Sequence, residues 1–205
     1  MRTAAILAGG RGRRLGGLDK SRLTIGGATI LQRQLDLLQG VADRVMVIAS
    51  DAARFAGLGV PVVPDRRPGL GSLGGIYTAV AAAGGPVLVL ACDMPFLTAP
   101  FLARVFERGQ DVDVALPRGS DGYHPLCACY APACADPIRR RLDAGALKVL
   151  DFMTDVRVRE LDPAELEAFD PEGLLLLNIN TPGDLARAER AWLARTRSHP
   201  GVRPS

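Results

Sequence analysis

Asp93 and a group of cations near the N-terminus are the side chains best suited to chemistry on a phosphate. Arg11, Arg13, Arg14 and Lys20 are threaded through glycines 9, 10, 12, 16 and 17. Glycine lets the chain turn sharply and point bare N–H groups at an anion. Cations and glycines packed so densely suit a polyphosphate; a plain surface turn needs fewer of both. Asp93 follows Pro86 to Cys92, the strongest apolar run in the chain. An acid there is expected at the carboxyl edge of a sheet, where α/β folds bind ligands. A carboxylate beside a triphosphate is repelled unless a cation intervenes. Mg²⁺ prefers one or two carboxylates plus phosphate oxygens and would resolve that conflict, with Asp93 as its protein ligand. The competing reading is that Asp93 caps the following turn.

The loop matches neither of the two commonest phosphate motifs. A P-loop would need Lys and Ser or Thr after its last glycine, and Leu18 follows Gly17. A dinucleotide fingerprint starting at Gly10 meets Leu15 at its third glycine. Gly69-Leu-Gly-Ser-Leu-Gly74 does satisfy Gly-x-Gly-x-x-Gly, with Asp93 at a suitable distance for a ribose. Pro64 to Pro68, however, separate these glycines from the preceding strand, whereas the fingerprint needs the turn directly at the strand end.

The stretch Leu7-Ala-Gly-Gly10, then Gly12-Arg-Arg-Leu15, then Asp19-Lys20 resembles the signature of sugar-nucleotide and cofactor nucleotidyltransferases. With Cys92-Asp-Met-Pro95, His124-Pro-Leu126 and Asn178-Ile-Asn-Thr-Pro182, the resemblance is strongest to the molybdenum cofactor guanylyltransferases, the MobA family. It runs from Leu7 to Leu185. It implies a Rossmann-like nucleotidyltransferase fold, GTP as donor, Mo-bound molybdopterin as acceptor, and molybdopterin guanine dinucleotide and pyrophosphate as products. Molybdoenzyme maturation proteins would be further partners. Carried over residue by residue, Leu7, Ala8, Gly9 and Gly10 would hold the nucleotide through backbone amides. Lys20 would balance charge at the α-phosphate, Arg14 would stabilise the leaving pyrophosphate, and Asp93 would hold Mg²⁺. Asp65 would accept from guanine N1–H and the amino group, a donor pair that adenine lacks. His124, Asn178 and Asn180 would face the acceptor; their ordinary roles would be structural. The family often carries an Asn near the end of its second strand. Ser50 stands at that place here, so either Ser50 substitutes or nucleotide recognition is shifted.

Other readings compete. CTP-dependent molybdopterin cytidylyltransferases usually read Ala-Ala-Gly at the loop and Ala-Asp-Met-Pro at the metal, unlike Ala8-Gly-Gly10 and Cys92-Asp-Met-Pro95. Sugar-1-phosphate nucleotidyltransferases are commonly longer. A nucleotide-binding adaptor that delivers cofactor would hold GTP without releasing pyrophosphate.

Composition bounds the answer. The 205 residues are 48% hydrophobic and 23% charged, with a net charge of +3. That is ordinary for a globular domain and too mildly basic to argue for nucleic acid. Apolar runs are short, so no membrane partner is expected, and a cytoplasmic location is. Cys92, Cys127, Cys129 and Cys134 lack paired Cys-x-x-Cys spacing and read as core thiols.

The elements that must position these residues follow from patterning. Strands are expected at Thr3 to Ala8, Arg44 to Ala49, Val60 to Val63, Pro86 to Cys92, Val112 to Pro117 and His124 to Tyr130. Val156 to Leu161 reads as an edge strand, and Leu174 to Asn180 returns to the core. Helices are expected at Ala28 to Gln39, with Thr29 and Gln32 at capping-box spacing, and at Ile76 to Ala83, Pro100 to Arg108, Pro132 to Ala144 and Ala146 to Met153. Thr181-Pro-Gly-Asp184 opens a last helix. Asp51 to Phe55 reads as a short helix and Arg118 to Tyr123 as a loop. Arg139, Arg140 and Arg141 would be either a solvated helix face or a basic patch for an anionic pterin. The alternation predicts a three-layer α/β/α domain over 1–195, with a mainly parallel Rossmann-like sheet and an antiparallel portion in the C-terminal half. Residues 196–205 are expected to be a disordered tail.

Overall fold

The computed structural model describes residues 1–8 and 22–198. Its main sheet is built on β1 (Thr3–Leu7), β4 (Arg44–Ala49), β5 (Val62–Pro64), β6 (Val87–Ala91), β7 (Val114–Gly119), β9 (Cys127–Tyr130) and β10 (Val158–Leu161). Their spatial order is β10-β7-β9-β6-β1-β4-β5, and β8 (Gly122–Tyr123) pairs with β7. The strands from β6 to β5 are mutually parallel. β9 runs antiparallel to both β6 and β7. β10 is parallel to β7 and forms the edge. The expected mixed sheet is therefore present, with the change of direction at β6.

Alternate strand residues face opposite layers, as the two-residue period of a strand requires. Ala4, Ile6, Val47, Leu88 and Leu90 meet α1 (Ile30–Leu38) and α3 (Ala99–Arg108) on one face. Ala5, Leu7, Met46, Ile48, Val87 and Val89 meet α2 (Gly71–Ala83) and α4 (Ala135–Asp143) on the other. Cys127 and Cys129 share the first face, while Cys134 lies in the second layer. That separation rules these thiols out as one chelate.

Several local expectations need correction. Thr29 caps α1 by accepting from Gln32 N at 3.1 Å, but the Gln32 side chain donates to Asp36 rather than closing a capping box. Ala28 belongs to a small hairpin, β2 (Thr24–Ile25) with β3 (Ala28–Thr29). α2 begins at Gly71, so most of the second glycine-rich segment is helix. A Cβ on Gly75 would stand 3.2 Å from Leu7 Cδ1, and one on Gly74 2.8 Å from the Arg67 carbonyl. Gly75 thus admits close packing of α2 on β1, and Gly74 close approach of the segment that leads into α2. Arg118 to Tyr123 is the β7–β8 hairpin rather than a loop. Val149–Asp155 is a 3₁₀ segment, and α5 (Pro163–Glu167) has no counterpart in the sequence reading. Leu174 to Asn180 is irregular, not a strand. The last helix, α6 (Pro182–Ser198), runs past Thr196. Asp184 N donates to Thr181 Oγ1, and Asp184 Oδ2 accepts from the amides of Asn180 and Thr181, a reciprocal cap. No described helix is long and apolar enough to cross a membrane.

A third small core joins distant segments: Leu23, Ile25 and Ile30, then Phe96, Leu174 and Ile179, then Ala188 and Trp192. The Arg33 guanidinium lies 3.8 Å from the Trp192 ring centroid and donates to the Ile25 and Gly26 carbonyls. A Cβ on Gly26 would fall inside the Trp192 indole, so the hairpin turn must be glycine for α6 to dock.

Candidate active site

The parallel strands end together. Leu7 is in register with Ile48 and with Ala91, and Ala49 with Pro64. Asp93, Ala8, Ser50 and Asp65 therefore leave the sheet at its carboxyl edge after β6, β1, β4 and β5. Neighbouring strands lie about 4.8 Å apart, so β6 and β5 are roughly 14 Å apart across the sheet. Gly9, Gly10, Arg14 and Lys20 lie outside the described residues. Ser50 is exposed, between the ends of β1 and β5.

Asp93 is 6% exposed and stands in a cleft of about 330 Å³. Met94, His124, Pro125, Asn178 and Asn180 share its wall, with Ser72 and Tyr123. Asp93, His124, Asn178 and Asn180 are thus brought together from three separated segments. The backbone joins them too: Ile179 N donates to the Asp93 carbonyl at 3.0 Å. Asn178 and Asn180 flank buried Ile179, which anchors the segment in the third core. The expected alternation of the two asparagines holds although the backbone is irregular.

His124 is 8% exposed, and its Nε2 lies 2.9 Å from Asp121 Oδ1. In the neutral ring that contact assigns the proton to Nε2 and leaves Nδ1 an acceptor. Tyr123 donates its hydroxyl to Glu160.

Asp65 is more constrained than its sequence context suggests. Its Oδ1 accepts from Arg67 N at 3.0 Å and from Thr78 Oγ1 at 2.9 Å. Thr78 is fully buried on α2 and also accepts from Arg66 N. A two-oxygen grip on guanine would compete with these bonds, so Oδ2 is the oxygen left for a base. The proposed amide cradle also needs correction. Ala8 N donates to Ile48 O at 2.9 Å, and Leu7 lies inside the strand between two partners. The amides of Leu7 and Ala8 are therefore engaged within the sheet.

The sequence reading missed Ser72, Tyr123, Thr78 and Gln34. Gln34 sits on α1, 2% exposed, and its Nε2 donates to the carbonyls of Ala91 (2.8 Å) and Met94 (3.1 Å). It clamps the chain on both sides of Asp93. Only its polarity on an otherwise apolar helix face could have flagged it. Arg139 pairs with Asp136 and Asp143, and Arg141 with Asp155; neither lines the cleft. Burial pushes the Cys129 and Cys134 thiols up to about 12 and Cys127 higher, so these are unreactive core groups.

Among the described residues no group of three or more acidic, His or Cys side chains could enclose a metal ion. One buried carboxylate at the cleft fits a hard cation that takes its other ligands from phosphate and water.

Residues 4–158 match the model of the MobA-like NTP transferase domain. The chain belongs to this family. A probable molybdenum cofactor guanylyltransferase of Pelotomaculum thermopropionicum is 39% identical over 202 residues, covering 93% of this chain and 98% of that protein. The molybdenum cofactor guanylyltransferase of Desulfosudis oleivorans is 33% identical, covering 92% and 95%. The crystal structure of molybdopterin-guanine dinucleotide biosynthesis protein A from Archaeoglobus fulgidus superposes with a TM-score of 0.80 at 29% identity, covering 94% and 99%. The family is one of nucleotidyltransferases, and in this chain the change of strand direction falls at β6, the strand that ends just before Asp93.

Proposed function

We propose that the protein transfers GMP from GTP to molybdopterin, releasing pyrophosphate. The observation that carries this reading is the cleft in which Asp93 meets His124, Asn178 and Asn180, beside the parallel edge that ends in Asp65. A terminal phosphate oxygen of the acceptor attacks the α-phosphorus of GTP in line. The new P–O–P bond forms as the bond to the β-phosphate oxygen breaks, and pyrophosphate leaves. The protein's part is positioning and charge neutralisation. Lys20 acts at the α-phosphate and Arg14 at the leaving pyrophosphate. Asp65 Oδ2 accepts from guanine, and Gly9 and Gly10 supply amides. His124, Asn178 and Asn180 hold the acceptor. Asp93 would hold Mg²⁺, which supplies Lewis-acid neutralisation of phosphate oxygens when bound.

The test is pyrophosphate release from GTP, CTP and ATP separately, with and without molybdopterin and Mg²⁺. Release only with GTP, molybdopterin and Mg²⁺ together is expected, and its loss in Asp93→Ala. Release from CTP alone would overturn the guanylyl assignment. Retention of GTP with no release would mark a delivery adaptor instead.

A further inference from the structure

Tyr123 lies on the wall of the cleft and is 40% exposed, one of few large apolar side chains left open among the described residues. A lone exposed ring needs no explanation on an ordinary surface. This one is held in place. Its backbone belongs to β8, the return strand of a tight hairpin, in register with Arg118 of β7. Its hydroxyl donates to Glu160 on β10, and Glu160 also accepts from Arg118 Nε at 3.0 Å. Neither Glu160 nor Arg118 is among the residues that line the cleft with Tyr123. The hydroxyl is thus taken up by a residue outside the lining, which leaves the ring as the part to offer a ligand.

We propose that Tyr123, fixed by Glu160 and Arg118, is a stacking shelf for a planar nitrogen heterocycle in the cleft. The inference rests on the transfer reading above and names a contact for its acceptor. Two heterocycles are present in that reaction, the acceptor's pterin and the guanine of GTP. Topology favours the pterin. β7, which carries the β8 hairpin, is separated from β5 by five strand spacings in the order β7-β9-β6-β1-β4-β5. At about 4.8 Å each this is roughly 24 Å, beyond reach of a base at Asp65. Asp93 lies between the two. A rigid aromatic offers contact area at low entropic cost, and stacking tolerates any ring with a π-face.

The experiment pairs Tyr123→Leu, which keeps apolar bulk, with Tyr123→Phe, which keeps the ring. Steady-state transfer gives KM for molybdopterin and for GTP. Fluorescence quenching of a free pterin gives binding without turnover. Tyr123→Leu should raise the molybdopterin KM and weaken pterin binding on the order of tenfold, with the GTP KM unchanged. Tyr123→Phe should stay within about threefold of the parent, the small loss reflecting the broken tie to Glu160. The shelf is overturned if Tyr123→Leu leaves pterin binding within twofold, if it raises the GTP KM equally, or if Phe behaves like Leu. A parent protein that binds pterin through Tyr123 but transfers no GMP would overturn the transfer reading and leave the shelf standing.

Discussion

Replacing Gln34 by Leu tests how the acid at the end of β6 is held. The buried amide donates to the carbonyls of Ala91 and Met94, which bracket Asp93. A buried carbonyl that loses its donor costs about 1–3 kcal/mol, so the two together cost roughly 2–6 kcal/mol. One gain opposes this. Gln34 Oε1 is buried without a hydrogen-bond partner among the described residues, and removing it recovers about 1–3 kcal/mol. The net loss is about 1–3 kcal/mol. A cavity of about 10 Å³ bounded by Gln34, Met94 and Pro95 is the size of one water. A water there would already satisfy Oε1 and push the loss toward the upper figure. For a chain of this length the melting temperature should fall by about 2–12 °C. Loosening the turn should also move Asp93, so half-maximal GMP transfer should need several-fold more Mg²⁺. Thermal unfolding and a Mg²⁺ titration of pyrophosphate release read the two effects separately. A Gln34→Leu protein that melts at or above the parent temperature, with the same Mg²⁺ curve, would refute the clamp.

Other expectations follow from the same geometry. Asp65→Ala should reduce the preference for GTP over ATP, measured by competition. Thr78→Val should do so partially while lowering stability by about 1–2 kcal/mol, because it removes the hydroxyl that fixes Asp65; unchanged selectivity in both would dismiss Asp65 as a base contact. The Arg108 guanidinium, helped by Arg104 against partial burial, holds the Glu165 carboxyl below its ordinary range. A depressed folded-state pKa gives stability that is present above the unfolded carboxylate value, about 4.3, and lost as pH falls through the folded value. Glu165→Gln should therefore be less stable than the parent at pH 7, by about 1 kcal/mol, with the gap closing in melts between about pH 5 and 3. Cys127, Cys129 and Cys134 should resist a thiol reagent at pH 8 in the folded protein and react fully in denaturant; rapid native labelling would contradict their burial.

The sequence by itself determined the strand and helix periods of the parallel half. Val87 to Ala91 could only be a buried strand, and an acid directly after it had to leave at the sheet's carboxyl edge. It also determined the family, through motifs whose wording is local. Tertiary structure alone decided how those motifs meet. The Asn178–Asn180 segment lacks strand geometry, and what brings it to Asp93 is burial of Ile179 with Phe96, Leu23 and Trp192, residues scattered along the chain. Gln34 and Thr78 were invisible for the same reason. Each acts through a partner in another segment, and hydrogen bonds between segments leave no periodic trace in either. Asp65 shows the reverse case: its position was legible, but the engagement of Oδ1 by Thr78 exists only once α2 has packed over β1, an approach that Gly75 permits by having no side chain.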